Sequence, residues 1–205
     1  EADLFNRRYL VIPTRHAAGV FHPKLYLVLG KSSAVGLVGS SNCTSAGIAY
    51  NLELASNFST RVDNDGLSHA ASADLVRSVY KAFRAFSEQN VAVGGFVEKE
   101  VFDRAESAHA WLRTDESDST VSRYIEFLNS LEGSIFSQLR ERLDGRVVER
   151  ISVLSPFYDR DLRIVARLAS EWPGAEIEIV GQPKYSRLST SSLTALFSSG
   201  VSGRL

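Results

Sequence analysis

His22-Pro23-Lys24-Leu25-Tyr26-Leu27-Val28-Leu29-Gly30-Lys31-Ser32-Ser33-Ala34-Val35-Gly36-Leu37-Val38-Gly39-Ser40-Ser41-Asn42 is the stretch on which the reading of this chain turns. Leu25 to Leu29 and Ala34 to Val38 are continuous apolar runs of strand length, and Gly30 to Ser33 between them has the composition of a hairpin connection. Downstream, Gly39 to Gly47 is a loop of small residues expected to open a short helical turn. Asn51 to Phe58 alternates, which predicts a strand with Leu52, Leu54 and Phe58 on one face and Asn51 and Glu53 on the other. Upstream, Arg8 to Pro13 reads as a short buried strand stopped by proline, followed by a polar loop with Arg15, His16 and Gly19.

Further along, Leu75, Val76, Val79, Tyr80, Phe83 and Phe86 recur at three- and four-residue steps. They predict an amphipathic helix over 72–87, with Ser72 as its cap. Val91 to Phe96 fits no pattern, and Ala105 to Leu112 suggests a short helix. Arg113 to Thr120 is polar, acidic at Asp115, Glu116 and Asp118, and aperiodic, as a linker would be. The spacing of Val121, Tyr124, Ile125, Leu128, Leu131, Ile135 and Leu139 predicts a long helix closed by Gly145. The last sixty residues then alternate: a strand over Ile151 to Leu154, a helix lined by Leu162, Val165, Ala166, Leu168 and Ala169, a strand over Ile177 to Val180, and a helix over Leu188 to Phe197. Strands alternating with helices give an α/β fold class.

Composition narrows the function. The 205 residues suffice for one ordinary domain or two small halves, and 44% hydrophobic with 23% charged residues excludes a disordered or coiled-coil chain. No apolar run approaches the roughly 18 residues of a membrane span. With 23 basic against 24 acidic residues, any polyanion site has to be local. The single cysteine, Cys43, excludes an intrachain disulfide and a cysteine-rich zinc site; with nothing cationic near it in sequence, it reads as a small buried filler. No leader is visible, and a cytoplasmic location fits. The absence of methionine reads most simply as a segment of a longer protein.

The chemistry gathers around the opening stretch. A histidine and a lysine separated by one residue on a strand share a face, and an imidazole can attack phosphorus while the ammonium neutralises a phosphate oxygen. The Gly39-Ser40-Ser41-Asn42 loop offers hydroxyl, carboxamide and backbone donors for a crowded phosphorus centre. Glu53 could accept the proton of the second ring nitrogen of His22 and fix its tautomer. No part of this scheme needs a metal or other cofactor. His16, His69 and His109 have no partner at a ligand or catalytic spacing, while Arg7, Arg8, Arg15 and Lys31 flank the motif and could meet a nucleic-acid backbone.

His22-x-Lys24, Gly39-Ser40-x-Asn42 and Asn51-x-Glu53 together resemble the signature of the phospholipase D superfamily, and most of all its bacterial nuclease and restriction- or helicase-associated members. The resemblance implies a mixed β-sheet flanked by helices, an α/β/α sandwich. It divides the chain into a first half-domain over 1–112, an acidic linker and long connecting helix over 113–145, and a truncated or degenerate second half over 146–205. It implies a phosphohistidine mechanism in which His22 attacks, Lys24, Ser40, Ser41 and Asn42 hold the phosphate, and Glu53 orients His22. A second histidine protonates the leaving oxygen. No second His-x-Lys occurs here, so that group is expected from a homodimer pairing two His22 sites or from a part of the protein beyond Leu205. The family's aspartate five residues after the lysine is Leu29. The function so implied is a metal-independent nuclease of a bacterial defence or restriction-type system, with DNA ahead of RNA as substrate. A phospholipid phosphodiesterase or phosphatidyltransferase, and a catalytically decayed phosphodiester-binding scaffold, are the rivals. The lipid reading carries its own expectation, an apolar rim beside the site.

Overall fold

A computed structural model describes residues 20–63, 66–68, 70–90, 96–113, 125–182, 189–198 and 202–204. The expected strand at 8–13, the loop with Arg15 and His16, and the linker beyond Arg113 lie outside these residues, as do Arg7, Arg8 and His69. The chain is α/β and divides into two compact units, Glu1–Ile135 and Phe136–Leu205.

In the first unit β1 (Leu25–Leu29), β2 (Ser33–Gly39), β3 (Ala55–Asp63) and β4 (Gly66–Ser68) form an antiparallel meander in that order. The hairpin expected at 30–33 is present, with the Gly30 N–H donating to Ser33 O at 2.8 Å. Strand alternation places Ala34 opposite Thr60, and both are buried. The 21-residue helix α1 (Ala70–Asn90) packs against β1, β2 and β3. Its buried stripe is Ala73, Leu75, Val76, Val79, Tyr80 and Ala82, close to the one the periodicity predicts. Ser72 lies inside this helix and is not its cap, because the helix begins at Ala70.

Helix α2 (Phe96–Ala108) and a 3-10 turn over Ala110–Leu112 cover the region where a single short helix was expected. Buried polar groups join them to α1. The Tyr80 hydroxyl donates to Glu106 Oε1 at 2.8 Å, Arg84 pairs with the same oxygen, and Arg77 donates to Trp111 O at 3.3 Å. Burial, reinforced by the Glu106 carboxylate, pushes the Tyr80 phenol well above its ordinary range.

The second unit contains β5 (Arg150–Leu154), α4 (Arg163–Glu171), β6 (Glu176–Val180), α5 (Thr190–Ser198) and β7 (Ser202–Arg204). Its three strands are parallel in the order β5-β6-β7. Leu162, Val165, Leu168, Ile177, Ile179 and Leu196 form its core. The described strands therefore make one antiparallel and one parallel sheet, where a mixed sheet was expected.

Helix α3 spans only Ile135–Arg142, which corrects the long helix expected from residue 121 onward. Residues 125–134 are not helical despite their apolar spacing. Asn129 Oδ1 accepts the Leu131 N–H at 3.0 Å, and Gly133 takes φ +134°. A side-chain-closed turn and a conformation that only glycine adopts cheaply interrupt the helix there.

Candidate active site

Three segments meet at one end of the antiparallel sheet. Lys24 immediately precedes β1, and its carbonyl accepts the Gly39 N–H at 3.2 Å, which extends the β1–β2 ladder by one step. Ser40 follows Gly39, and its N–H donates to Leu54 O at 2.9 Å. A Cβ at Gly39 would lie 2.6 Å from Leu54 O, so the two chains pass too closely there for any side chain. The sheet thus brings His22-Pro23-Lys24, Gly39-Ser40 and Glu53-Leu54 to adjacent strand ends, spaced at roughly 5 Å per strand.

His22 is exposed, and Phe21 beside it packs edge-on against Phe86 of α1 with ring centroids 5.4 Å apart. That contact ties the chain just before β1 to the helix that supports the sheet. Lys24 Nζ sits 2.7 Å from His22 Nδ1 and 3.0 Å from Nε2, and donates to His22 O at 3.2 Å. A neutral imidazole has one lone pair, so the ammonium can donate to only one of these nitrogens at a time.

Glu53 does not hydrogen-bond to His22. Its Oε2 accepts the Ser40 hydroxyl at 2.5 Å, and its Oε1 accepts Asn51 Nδ2 at 3.2 Å. The loop between Ser40 and Asn51 is braced from within. The Tyr26 hydroxyl donates to Ser41 O at 3.1 Å, and the Ser41 hydroxyl donates to Gly47 O at 2.7 Å. Thr44 N–H reaches back to Asn42 O at 2.8 Å, while Thr44 Oγ1 accepts the Gly47 N–H at 3.0 Å and starts a π-helical turn over Ala46–Tyr50. Tyr26 and Thr44 are the supporting residues that motif reading missed. A threonine three residues before the glycine was a usable sign, as a hydroxyl opening a helical turn.

Of the four candidate phosphate ligands, Ser40 and Ser41 spend their hydroxyl protons inside the protein. Lys24 and Asn42 remain, and the exposed Asn42 carboxamide makes no hydrogen bond among the described residues. Cys43 is exposed, not a buried filler: the chain folds back around it through the Asn42–Thr44 bond, which leaves its side chain at the tip of a tight turn. The strand expected from Asn51 begins only at Ala55: Ser40 still donates its N–H to Leu54 O, but its hydroxyl, not its carbonyl, takes the Leu54 N–H. Leu52 and Leu54 consequently face solvent and not the core. Together with Ile48 and Tyr50 they form an exposed apolar segment, 66, 83, 103 and 71% accessible at 48, 50, 52 and 54, which runs from the end of the loop to the start of β3.

No family model matches the chain, and comparison with curated proteins and with solved structures finds no match. The site stands on its own geometry. Among the described residues no group of histidine, cysteine and acidic side chains could hold a metal ion, and no helix is long and apolar enough to cross a membrane.

Proposed function

We propose that this chain is a phosphodiesterase with a phospholipase D-like fold, acting through a covalent phosphohistidine, and that it serves as a metal-independent cytoplasmic nuclease of a bacterial defence or restriction-type system. The observation that carries the chemistry is the convergence of His22, Lys24, Ser40, Asn42 and Glu53 at one end of β1-β2-β3. The nucleic-acid substrate rests on the resemblance of the three motifs to that branch of the family.

In this reading a phosphate oxygen draws the Lys24 ammonium away from the imidazole, and Asn42 donates to a second oxygen. The freed lone pair of His22 forms the N–P bond as the P–O bond to the leaving alcohol breaks. The leaving oxygen takes a proton from a general acid, either His22 of a second copy or a histidine beyond Leu205. Water then attacks the phosphohistidine, giving up a proton to the same group, and returns the imidazole.

A second reading is favoured by one observation. The apolar segment Ile48, Tyr50, Leu52 and Leu54 is the rim a phospholipid phosphodiesterase would need, and no lysine or arginine lies between Lys31 and Arg61 to serve a nucleic-acid backbone. Labelled single- and double-stranded DNA and RNA, and phosphatidylcholine vesicles, are incubated with wild type and His22→Ala in excess EDTA. Nucleic-acid cleavage that persists in EDTA and vanishes in His22→Ala supports the nuclease. Headgroup release alone would favour the lipid enzyme, and cleavage abolished by EDTA would overturn the mechanism.

A further inference from the structure

We propose that Ser40 is a positioning residue: its hydroxyl clamps Glu53 and the 51–54 segment to the end of β2, and it does not bind the phosphodiester. A serine hydroxyl carries one proton. That proton is directed to Glu53 Oε2 at 2.5 Å, while the hydroxyl oxygen accepts the Leu54 N–H at 3.1 Å. The Ser40 N–H adds a third bond, to Leu54 O at 2.9 Å. Ser40 therefore spends its hydroxyl proton and its backbone N–H on two consecutive residues. Asn51 grips the other carboxylate oxygen at 3.2 Å, so Glu53 is held from both sides.

The arrangement argues against a phosphate contact on charge grounds. An anion accepting from Ser40 would compete with a carboxylate for one hydrogen and would bring two like charges around it. The clamp instead holds the Glu53 charge against the end of β2, the strand that pairs with Lys24. It also explains why β3 starts at Ala55: the side chain of Ser40 replaces the next rung of the ladder. The catalytic consequence rests on the phosphodiesterase reading; the clamp itself does not.

The test compares wild type, Ser40→Ala, Glu53→Gln, the double variant and Ser40→Thr. Urea unfolding midpoints are measured on all five, and kcat and KM are measured on bis(p-nitrophenyl) phosphate and a single-stranded oligonucleotide in EDTA. A clamp makes the unfolding effects non-additive, with the double variant no less stable than the worse single one. It lowers kcat about ten- to a hundredfold in Ser40→Ala with KM within about twofold, and Ser40→Thr restores most of the rate. Additive midpoint shifts, or a KM that rises about tenfold at unchanged kcat, would overturn the proposal. If wild type cleaves neither substrate, the phosphodiesterase reading fails, and the midpoint cycle alone still decides whether Ser40 and Glu53 act as a unit.

Discussion

Replacing Gly47 by alanine tests whether the candidate phosphate loop is built as described. A Cβ there would lie 2.4 Å from Asn42 O and 2.9 Å from Asn42 N, both backbone atoms that cannot rotate away. Gly47 has no positive φ, so the penalty is contact alone and not backbone strain. Carbon and carbonyl oxygen settle near 3.3 to 3.6 Å, so the Asn42 turn has to retreat by about 1 Å. That displacement stretches the Ser41–Gly47 bond, now 2.7 Å, which is worth about 1 kcal/mol, and forced packing adds about 1–3 kcal/mol. The expected loss is therefore about 2–4 kcal/mol in urea unfolding followed by circular dichroism. If Asn42 meets the phosphate, a 1 Å misplacement also lowers phosphodiester cleavage by about a hundredfold. Gly174→Ala in the second unit is the control, since nothing lies within 4 Å of its Cβ position and its φ is ordinary. It should be neutral or gain about 0.4–1 kcal/mol. Wild-type stability in Gly47→Ala would refute the close packing of Asn42 on Gly47, whatever the activity.

Asn42→Ala should raise KM for a phosphodiester about tenfold with little change in stability, whereas Ser41→Ala should cost about 1 kcal/mol of stability with KM nearly unchanged, as steady-state kinetics and urea melts would reveal. Tyr80→Phe removes a donor from the buried Glu106 carboxylate and should cost about 1.5–3 kcal/mol by the same melts. The Tyr80 phenol is raised above its ordinary 10.0, so its contribution is complete below pH 10 and declines as pH rises beyond it, because the unfolded chain releases the proton first. The alkaline fall in the wild-type midpoint should accordingly be shallower in Tyr80→Phe. Leu52→Ser, at a fully exposed position, should change stability by less than about 0.5 kcal/mol. It should leave oligonucleotide cleavage intact and abolish vesicle co-sedimentation only if the rim meets lipid.

The fold was legible where local chemistry and burial agree. The apolar runs at 25–29 and 34–38 became β1 and β2, and the three- and four-residue apolar steps became α1. The alternation at 150–198 became β5-α4-β6-α5 for the same reason: Val165, Leu168, Ile177 and Ile179 all find one core. Periodicity misled where a polar group outbid it for the backbone. The spacing through 125–139 is helical, yet Asn129 closes a turn on Leu131 and Gly133 leaves the helical region. At 51–54 the alternation is that of a strand, yet Ser40 takes the rung that Leu54 needed. A hydrophobic pattern records only which side chains could be buried together. It does not record which nearby hydroxyl or amide reaches the backbone first.

The same principle divides the candidate site. The residue types and their order are what suggest the proposed phosphodiester chemistry, and the antiparallel meander explains how motifs that begin 12 to 29 residues apart come together: each sits beside a strand end at the same end of the sheet. What the motifs could not announce was the direction of each proton. Ser40, Ser41, Asn51 and Glu53 are polar residues in a loop region, and any of them could face an anion or face one another. In the fold Ser40 and Asn51 face Glu53 and Ser41 faces the Gly47 carbonyl, which leaves the Lys24 ammonium and the Asn42 carboxamide as the donors to phosphate in the proposed reaction. A site with few donors to commit depends on holding them rigidly. The hydrogen-bonded loop from Ser40 to Glu53, closed on Gly39 and Gly47 where no Cβ fits, supplies that rigidity. Most of the polar residues of the candidate site build this scaffold, and in the proposed phosphodiesterase two, Lys24 and Asn42, are left to meet the substrate.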